Sequence, residues 1–470
     1  MAASSPTGSV SSAASTGGAD AAAVGQTNSR AGRARAGKPR AGKSRTLTPR
    51  AATLGLIAAL LVGVNLRPAI TSVAALVGEV TAHFELSAGE VTALVTLPVI
   101  AFGFTAPLGP WLARRIGVAG ALGWAMVALA AAIALRVLLP GQLLLGTAVV
   151  GIAIMAAGTL LPQYLKSLNA GGLWVGLSSM SFGVGAALGA GLAVPLHRAT
   201  GESVPAALAI WAVPAIAAAL AMGLVGARAG RERRELTAQR AGALPRLRLP
   251  AGGVHTLALV TLVFGLQALL YFAVTAWLPV FLADRGEPTA VRGWLLAWFS
   301  IAGFLPTLVT PIIARRPRVL RWFGPGLGLA VAIGLAWLFV ADGGQYLFVV
   351  GLLGAVQSAA FGLAISLIVG LSANAATAGA VSAIGQGVGY ILAGAGSLLV
   401  GVVHTASGEW APSFLLMGAF AISLSVATAL LVRRPPIDMV AGDSEANAEA
   451  NAQADAGAAP GGRGEPAGRS

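Results

Sequence analysis

Residues 52–80 read ATLGLIAALLVGVNLRPAITSVAALVGEV, a 29-residue apolar run with one basic residue, Arg67, and one acid, Glu79. An α-helix rises about 1.5 Å per residue, so about 20 such residues cross the hydrocarbon of a bilayer. The basic stretch before residue 51 resembles the start of a signal peptide, but the apolar run exceeds the roughly 7–15 residues of a cleavable core. It therefore reads as an uncleaved first membrane span. A window of about 19 residues finds eleven further runs of this kind. They lie near 89–112, 117–137, 141–164, 171–196, 204–227, 253–282, 290–313, 322–341, 345–370, 377–403 and 411–432. The expected fold is an all-α integral membrane protein with twelve transmembrane helices.

Composition excludes a soluble globular domain. Hydrophobic residues make up 56% of the 470, charged residues 10%, and mean hydropathy is +0.80. Soluble domains carry about 25% charged residues. The formal net charge of +14 does not mark a nucleic-acid binder, because the basic residues gather between spans. With the N-terminus inside, 26 of the 31 Lys and Arg fall on the cytoplasmic side. Arg136, Arg198, Arg285 and Arg292 fall outside, and Arg67 lies within a span. By the positive-inside rule, both termini are expected in the cytoplasm of a bacterial plasma (inner) membrane. The chain has no Cys, which excludes disulfides and thiolate metal centres, and no metal or cofactor is expected. Residues 1–50 and 435–470 are too poor in large apolar side chains to bury a core, and are expected to be disordered cytoplasmic tails.

The chain repeats itself. Pro110-Trp111-Leu112-Ala113-Arg114-Arg115 closes the second span, and Pro311-Ile312-Ile313-Ala314-Arg315-Arg316 closes the eighth. Gly183-Val184-Gly185 in the fifth span matches Gly387-Val388-Gly389 in the eleventh. Arg228 and Arg433-Arg434 follow the sixth and twelfth spans at nearly the same offset. Three matches at one offset imply duplication of a six-helix unit. The expected organisation is an N-terminal bundle over 51–227, a basic cytoplasmic linker over 228–252 and a C-terminal bundle over 253–434. Both units start inside, so the repeat is parallel, as in the major facilitator fold, where solutes bind at mid-membrane between the halves.

Several stretches carry a family resemblance. Gly63-Val64-Asn65-Leu66-Arg67-Pro68-Ala69-Ile70-Thr71-Ser72-Val73 resembles the first helix of the cyanate-permease and nitroimidazole-permease branch of the major facilitator superfamily. Phe264-Gly265-Leu266-Gln267-Ala268-Leu269-Leu270-Tyr271, Ala276-Trp277-Leu278-Pro279 and Gln386-Gly387-Val388-Gly389-Tyr390 also resemble that branch. The likeness runs through roughly 51–432 and implies a secondary transporter. In one departure, Gly158 precedes Thr159-Leu160-Leu161-Pro162 where the family often has Asn, so that helix lacks the polar side chain.

Arg67 is the most informative position. It lies near the middle of its span, where a charge costs roughly 2.5–3.5 kcal/mol on insertion scales and must be compensated. All 17 acids fall in loops, tails or span ends; Glu79, the nearest along the helix, is about 18 Å away. An unneutralised guanidinium facing a polar cavity is an anion site, since its planar fork matches a carboxylate. The plain alternative is that Arg67 binds main-chain carbonyls and locks helices together. Pro68 removes a helical hydrogen bond and tilts the helix, lining a cavity or only kinking it. Asn65, about 200° round from Arg67, is expected to face a neighbouring helix.

Polar residues at four-residue spacing share a helix face. Gln267, Tyr271 and Thr275 do so in the seventh span, and Ser382, Gln386 and Tyr390 in the eleventh; Gln357 stands alone in the tenth. Each is a candidate ligand or a plain interhelical hydrogen-bonding group. The substrate-binding candidates are therefore Arg67, Gln267, Tyr271, Gln357, Gln386 and Tyr390. Trp277 and Trp298 either stack on a flat solute or sit in an interfacial belt. Arg114, Arg115, Arg315 and Arg316 are candidate gating residues or plain topology anchors. His83, His197, His255 and His404 lie near span ends and read as structural.

These residues describe a monomeric carrier of a small anion or weak acid, working by alternating access and without catalysis. No Gly-x-x-x-x-Gly-Lys-Ser/Thr loop is present for nucleotide energy. Proton coupling would have to use Glu79, Glu90, a span-end His or the proton of the solute. The competing readings are an exporter of neutral aromatic compounds and a membrane sensor that binds without translocating. A membrane enzyme would need a metal-binding cluster or paired carboxylates in the spans, and the sequence shows none.

Overall fold

The computed structural model describes residues 49–139, 141–237, 247–248, 253–437 and 440–441. The first span is three helices rather than one: α1 (Pro49–Asn65), α2 (Pro68–Ala75) and α3 (Val77–Phe84). Pro68 has no N–H to donate and disfavours helical geometry at the residue before it. Arg67 accordingly leaves the helix, with φ −123° and ψ −36°, and Pro68 opens α2 at its first position. The expected tilt is thus a full break, and it places the Arg67 backbone between two helix ends.

The remaining spans follow the hydropathy reading closely. The second consists of α4 (Ala88–Thr105) and α5 (Leu108–Ile116), separated at Ala106-Pro107; then come α6 (Val118–Leu138), α7 (Leu143–Ser167) and α8 (Gly172–Ala199). The sixth is α9 (Val204–Ala209) with α10 (Ala212–Thr237). In the second half, α11 (Gly253–Asp284) is continuous, α12 (Thr289–Ala302) and α13 (Phe304–Ile313) form the eighth span, and α14 (Pro317–Val340), α15 (Gln345–Gly370), α16 (Ala375–Ser407) and α17 (Trp410–Leu431) follow. Eleven segments are by themselves long and apolar enough to cross a membrane. The twelfth crossing is the broken pair α4–α5.

Beyond the helices, β1 (Leu247–Arg248) pairs antiparallel with β2 (Val440–Ala441). Ile437 is buried, and its N–H donates to the Leu371 carbonyl at 2.6 Å. Residues 435–437 and 440–441 are therefore ordered, contrary to the expectation for a tail beginning at 435. Residues 1–48, 238–246 and 442–470, which carry the rest of the tail and linker readings, lie outside the described residues.

The repeated Gly-Val-Gly elements have a matching packing role. A methyl on Gly185 would overlap the Val64 carbonyl oxygen, and one on Gly389 would meet the Phe264 ring and the Gly265 backbone. The second glycine of each element thus lets α8 press on α1 and α16 press on α11, within one half. The first glycine of each faces the other half: Gly183 meets Phe304, and Gly387 meets Ala106 and the Gly103 carbonyl.

The contacts between halves concentrate at the end that carries Arg114 and Arg315. There Gly172 and Gly176 of α8 lie against the backbone of α13 at Pro311 and Leu308, and Gln163 of α7 lies against Gly379 of α16. At the opposite end α2, α3 and α12 pack against elements of their own half. The halves are therefore sealed together at the basic end.

Gly185→Val would force the α1–α8 backbones apart. It should destabilise the fold by about 1–3 kcal/mol, the usual cost of overpacking. Gly191→Ala on the same helix, with open space around it, should be neutral or slightly stabilising. Apparent Tm values in detergent check the pair.

Candidate functional site

Arg67 is half-buried at the α1–α2 break, and its guanidinium makes no hydrogen bond or ion pair with any described residue. Its backbone carbonyl is engaged, accepting from the N–H groups of Ile70 and Thr71 and the Thr71 hydroxyl. Asn65 turns the other way: Nδ2 donates to Leu61 O at 2.8 Å and to Pro214 O of α10 at 3.1 Å. It ties the end of α1 to its neighbour, as the helical wheel implied.

Tyr390 of α16 lies within electrostatic reach of both Arg67 and Tyr271. Its ring touches Phe102 of the first half and Phe264 of the second, each at 5.3 Å between centroids, with Phe272 at 6.3 Å. Tyr271 packs on Phe299 at 5.7 Å. The hydroxyls of Tyr271 and Tyr390 hydrogen-bond to no described residue. Two hydroxyls without a partner among the described residues thus share an aromatic neighbourhood, within electrostatic reach of the Arg67 cation of the other half.

The glutamines occupy a drier layer. Gln267 donates from Nε2 to the Gln357 carbonyl at 3.4 Å, joining α11 to α15. Oε1 of Gln267 and both side-chain polar atoms of Gln357 are buried without a partner among the described residues. Gln386 donates to Ser382 Oγ at 2.6 Å and, across the halves, to the Gly158 carbonyl at 3.3 Å. At this position the side chain missing from α7 is replaced by a main-chain acceptor. Thr275 turns back on its own helix, donating to the carbonyls of Tyr271 and Phe272, and so leaves the polar stripe.

Both tryptophans are committed to packing. Trp277 donates to Ser397 O at 3.1 Å beside Trp410, and Trp298 donates to Leu347 O at 2.9 Å and stacks on Trp294. Of the four loop arginines, Arg315 reaches the other half, its stem lying over Gly172 and its guanidinium beside Gly171. Arg115 stacks on Trp111 of its own helix at 4.4 Å, while Arg114 and Arg316 are exposed.

Sequence reasoning missed two things. The phenylalanines around Tyr390 gave no signal, since Phe is ordinary in a span. Arg136, counted among the outside loop residues, is 1% exposed inside the last turn of α6. The signal was available: Ala132-Ile133-Ala134-Leu135 precede it and Val137-Leu138-Leu139 follow.

Gln386→Met removes the hydrogen bond to Gly158 while keeping the volume. A loss of about 1 kcal/mol should lower the ratio of sealed to open molecules at the basic end about fivefold, read from the labelling rate of a single Cys replacing the half-buried Ala380.

The major facilitator superfamily model matches residues 52–396. The chain is 31% identical over 375 residues to the 2-nitroimidazole transporter of Escherichia coli (strain K12), covering 78% of this chain and 92% of that protein. It is 29% identical over 381 residues to the cyanate transport protein CynX of the same strain, covering 79% and 96%. The uncharacterized transporter YycB of Bacillus subtilis (strain 168) is 30% identical over 368 residues, covering 77% and 89%. Among solved structures, the proton:xylose symporter XylE superposes with a TM-score of 0.61 at 14% identity, covering 82% of this chain and 96% of that one. FucP in the outward conformation gives 0.60 at 14% identity, covering 80% and 99%. The chain belongs to the major facilitator superfamily, as a multi-pass transporter in the branch that holds the cyanate and 2-nitroimidazole transporters.

Proposed function

We propose that the protein carries a small anion or weak acid through a site centred on Arg67. The observation that carries this reading is the guanidinium at the α1–α2 break, which no described carboxylate or carbonyl engages and which lies within electrostatic reach of Tyr390 in the other half. An anion entering between the halves would supply the missing charge and accept from the Tyr271 and Tyr390 hydroxyls. Gln267, Gln357 and Gln386 form the polar layer beside it. Their unpaired amide atoms become available when the halves move, because Gln386 is bonded across the moving interface.

The halves meet at the basic end, which the positive-inside rule assigns to the cytoplasm. The conformation is then outward-facing. Alternating access would break the Gln386–Gly158 bond and the Arg315 contact with α8, and close α2 and α12 over the solute.

A second reading, a carrier of neutral heteroaromatic compounds, is supported by Phe102, Phe264 and Phe272 around Tyr390. One relative is named for 2-nitroimidazole. The two readings part at Arg67. With purified protein in liposomes and a panel of small anions, Arg67→Gln should lower uptake at least about 30-fold, the size expected when one member of a buried charge pair is removed. Arg67→Lys should recover part of it, since the ammonium keeps the charge but loses the fork. Unchanged uptake in correctly inserted Arg67→Gln would sink the anion reading and leave the aromatic one.

A further inference from the structure

Arg136 sits at the end of the first half away from the basic loops, on α6. Its Nε, Nη1 and Nη2 are all buried and donate to no described residue. A guanidinium does not shed its proton at physiological pH, so the charge stays. The acids of the first half, Glu79, Glu85, Glu90 and Glu202, are all exposed. Carbonyls in the last turn of α6 lie close by, and none accepts from it.

Gly146 of α7 meets Arg136, and Thr147 follows it on the same helix. A methyl on Gly146 would overlap Arg136 Cβ and lie 2.8 Å from its Cα, so the two backbones touch there. One residue on, Thr147 is 3% exposed, and its hydroxyl oxygen is buried with no partner among the described residues. Gly146 and Thr147 also belong to the start of α7, which opens at Leu143 with no side-chain cap. The short connection, closed by the Gln142 N–H donating to the Leu139 carbonyl, sets the positive end of that 25-residue helix beside the last turn of α6.

We propose that the α6–α7 seam is an anion site, in which Arg136, the Thr147 hydroxyl and the first turn of α7 hold one small monovalent inorganic anion of halide size. Backbone contact at Gly146 narrows the seam, which favours a small ion over a lipid headgroup. The anion is a resident counter-charge that joins α6 to α7, separate from the transported solute, and the site stands or falls independently of Arg67.

The test uses the full chain purified in detergent, comparing apparent Tm in sodium chloride and sodium gluconate at equal ionic strength. Binding to the folded state alone raises Tm by mass action. Chloride, and bromide in its place, should raise it by about 3 °C. Arg67→Gln should keep the rise, whereas Arg136→Gln, Arg136→Lys and Thr147→Val should lose most of it. Thr147→Val is near-isosteric and leaves the charge in place, so it carries the test if Arg136→Gln is not recovered folded. Equal Tm in the two salts for the parent chain overturns the site. So does a chloride effect that survives in Arg136→Lys and Thr147→Val, or one that disappears in Arg67→Gln. A loss of Tm in Glu202→Gln equal to that of Arg136→Gln, with no halide effect, would assign Arg136 a carboxylate of the chain and also overturn it.

Discussion

A positive charge held in a low-dielectric bundle without its own counter-charge is the constraint on which the rest of this structure depends. Burying an ion costs several kcal/mol even after relaxation, and a membrane interior offers no bulk water to repay it. At Arg67 the chain meets that cost by geometry rather than by pairing. Pro68 ends α1 and opens α2, Arg67 O accepts from the N–H groups of Ile70 and Thr71 and from the Thr71 hydroxyl, and the Arg67 side chain is left half-buried, without a hydrogen-bond partner among the described residues. The break and the charge belong together: an unbroken helix would put the same guanidinium against packed apolar neighbours.

The glycines translate this local arrangement into a two-part machine. Gly185 and Gly389 bring α8 onto α1 and α16 onto α11, fixing Arg67 and Tyr390 on rigid frames. Gly183, Gly387, Gly172 and Gly176 bring the frames together at one end. Close helix approach through small residues is how membrane helices gain packing energy where no hydrophobic effect drives association. Such contacts are broad in area and poor in hydrogen bonds, with Gln386 to Gly158 as a polar exception. An interface of that kind can separate without stranding many polar groups.

The two halves are not copies in detail. Both the second and eighth spans break, at Ala106-Pro107 and at Gly303, yet the first breaks at Pro68 while its partner α11 runs unbroken for 32 residues. In the proposed site the cationic side thus comes from an interrupted helix, and the hydroxyl and amide side from continuous ones. Ile437 packs at the α15–α16 turn and ties the chain beyond α17 to the second half.

Hydropathy alone placed the spans to within about five residues, apart from α10, which runs to Thr237 and so into the expected linker, because solvation of the backbone forces every crossing into a helix of bilayer length. The charge of Arg67, the direction of Asn65 and the paired Gly-Val-Gly elements were legible for the same reason: each is a property of one helix and its period. Tertiary structure alone decided what each polar group meets. Periodicity gives a face but not the neighbour on that face, and main-chain acceptors such as Gly158 O, Ser397 O and Pro214 O carry no sequence signature. Hence Gln386 found a carbonyl across the halves, Trp277 was taken up by packing, and Arg136, which looked like a loop residue, proved to be sealed between α6 and α7.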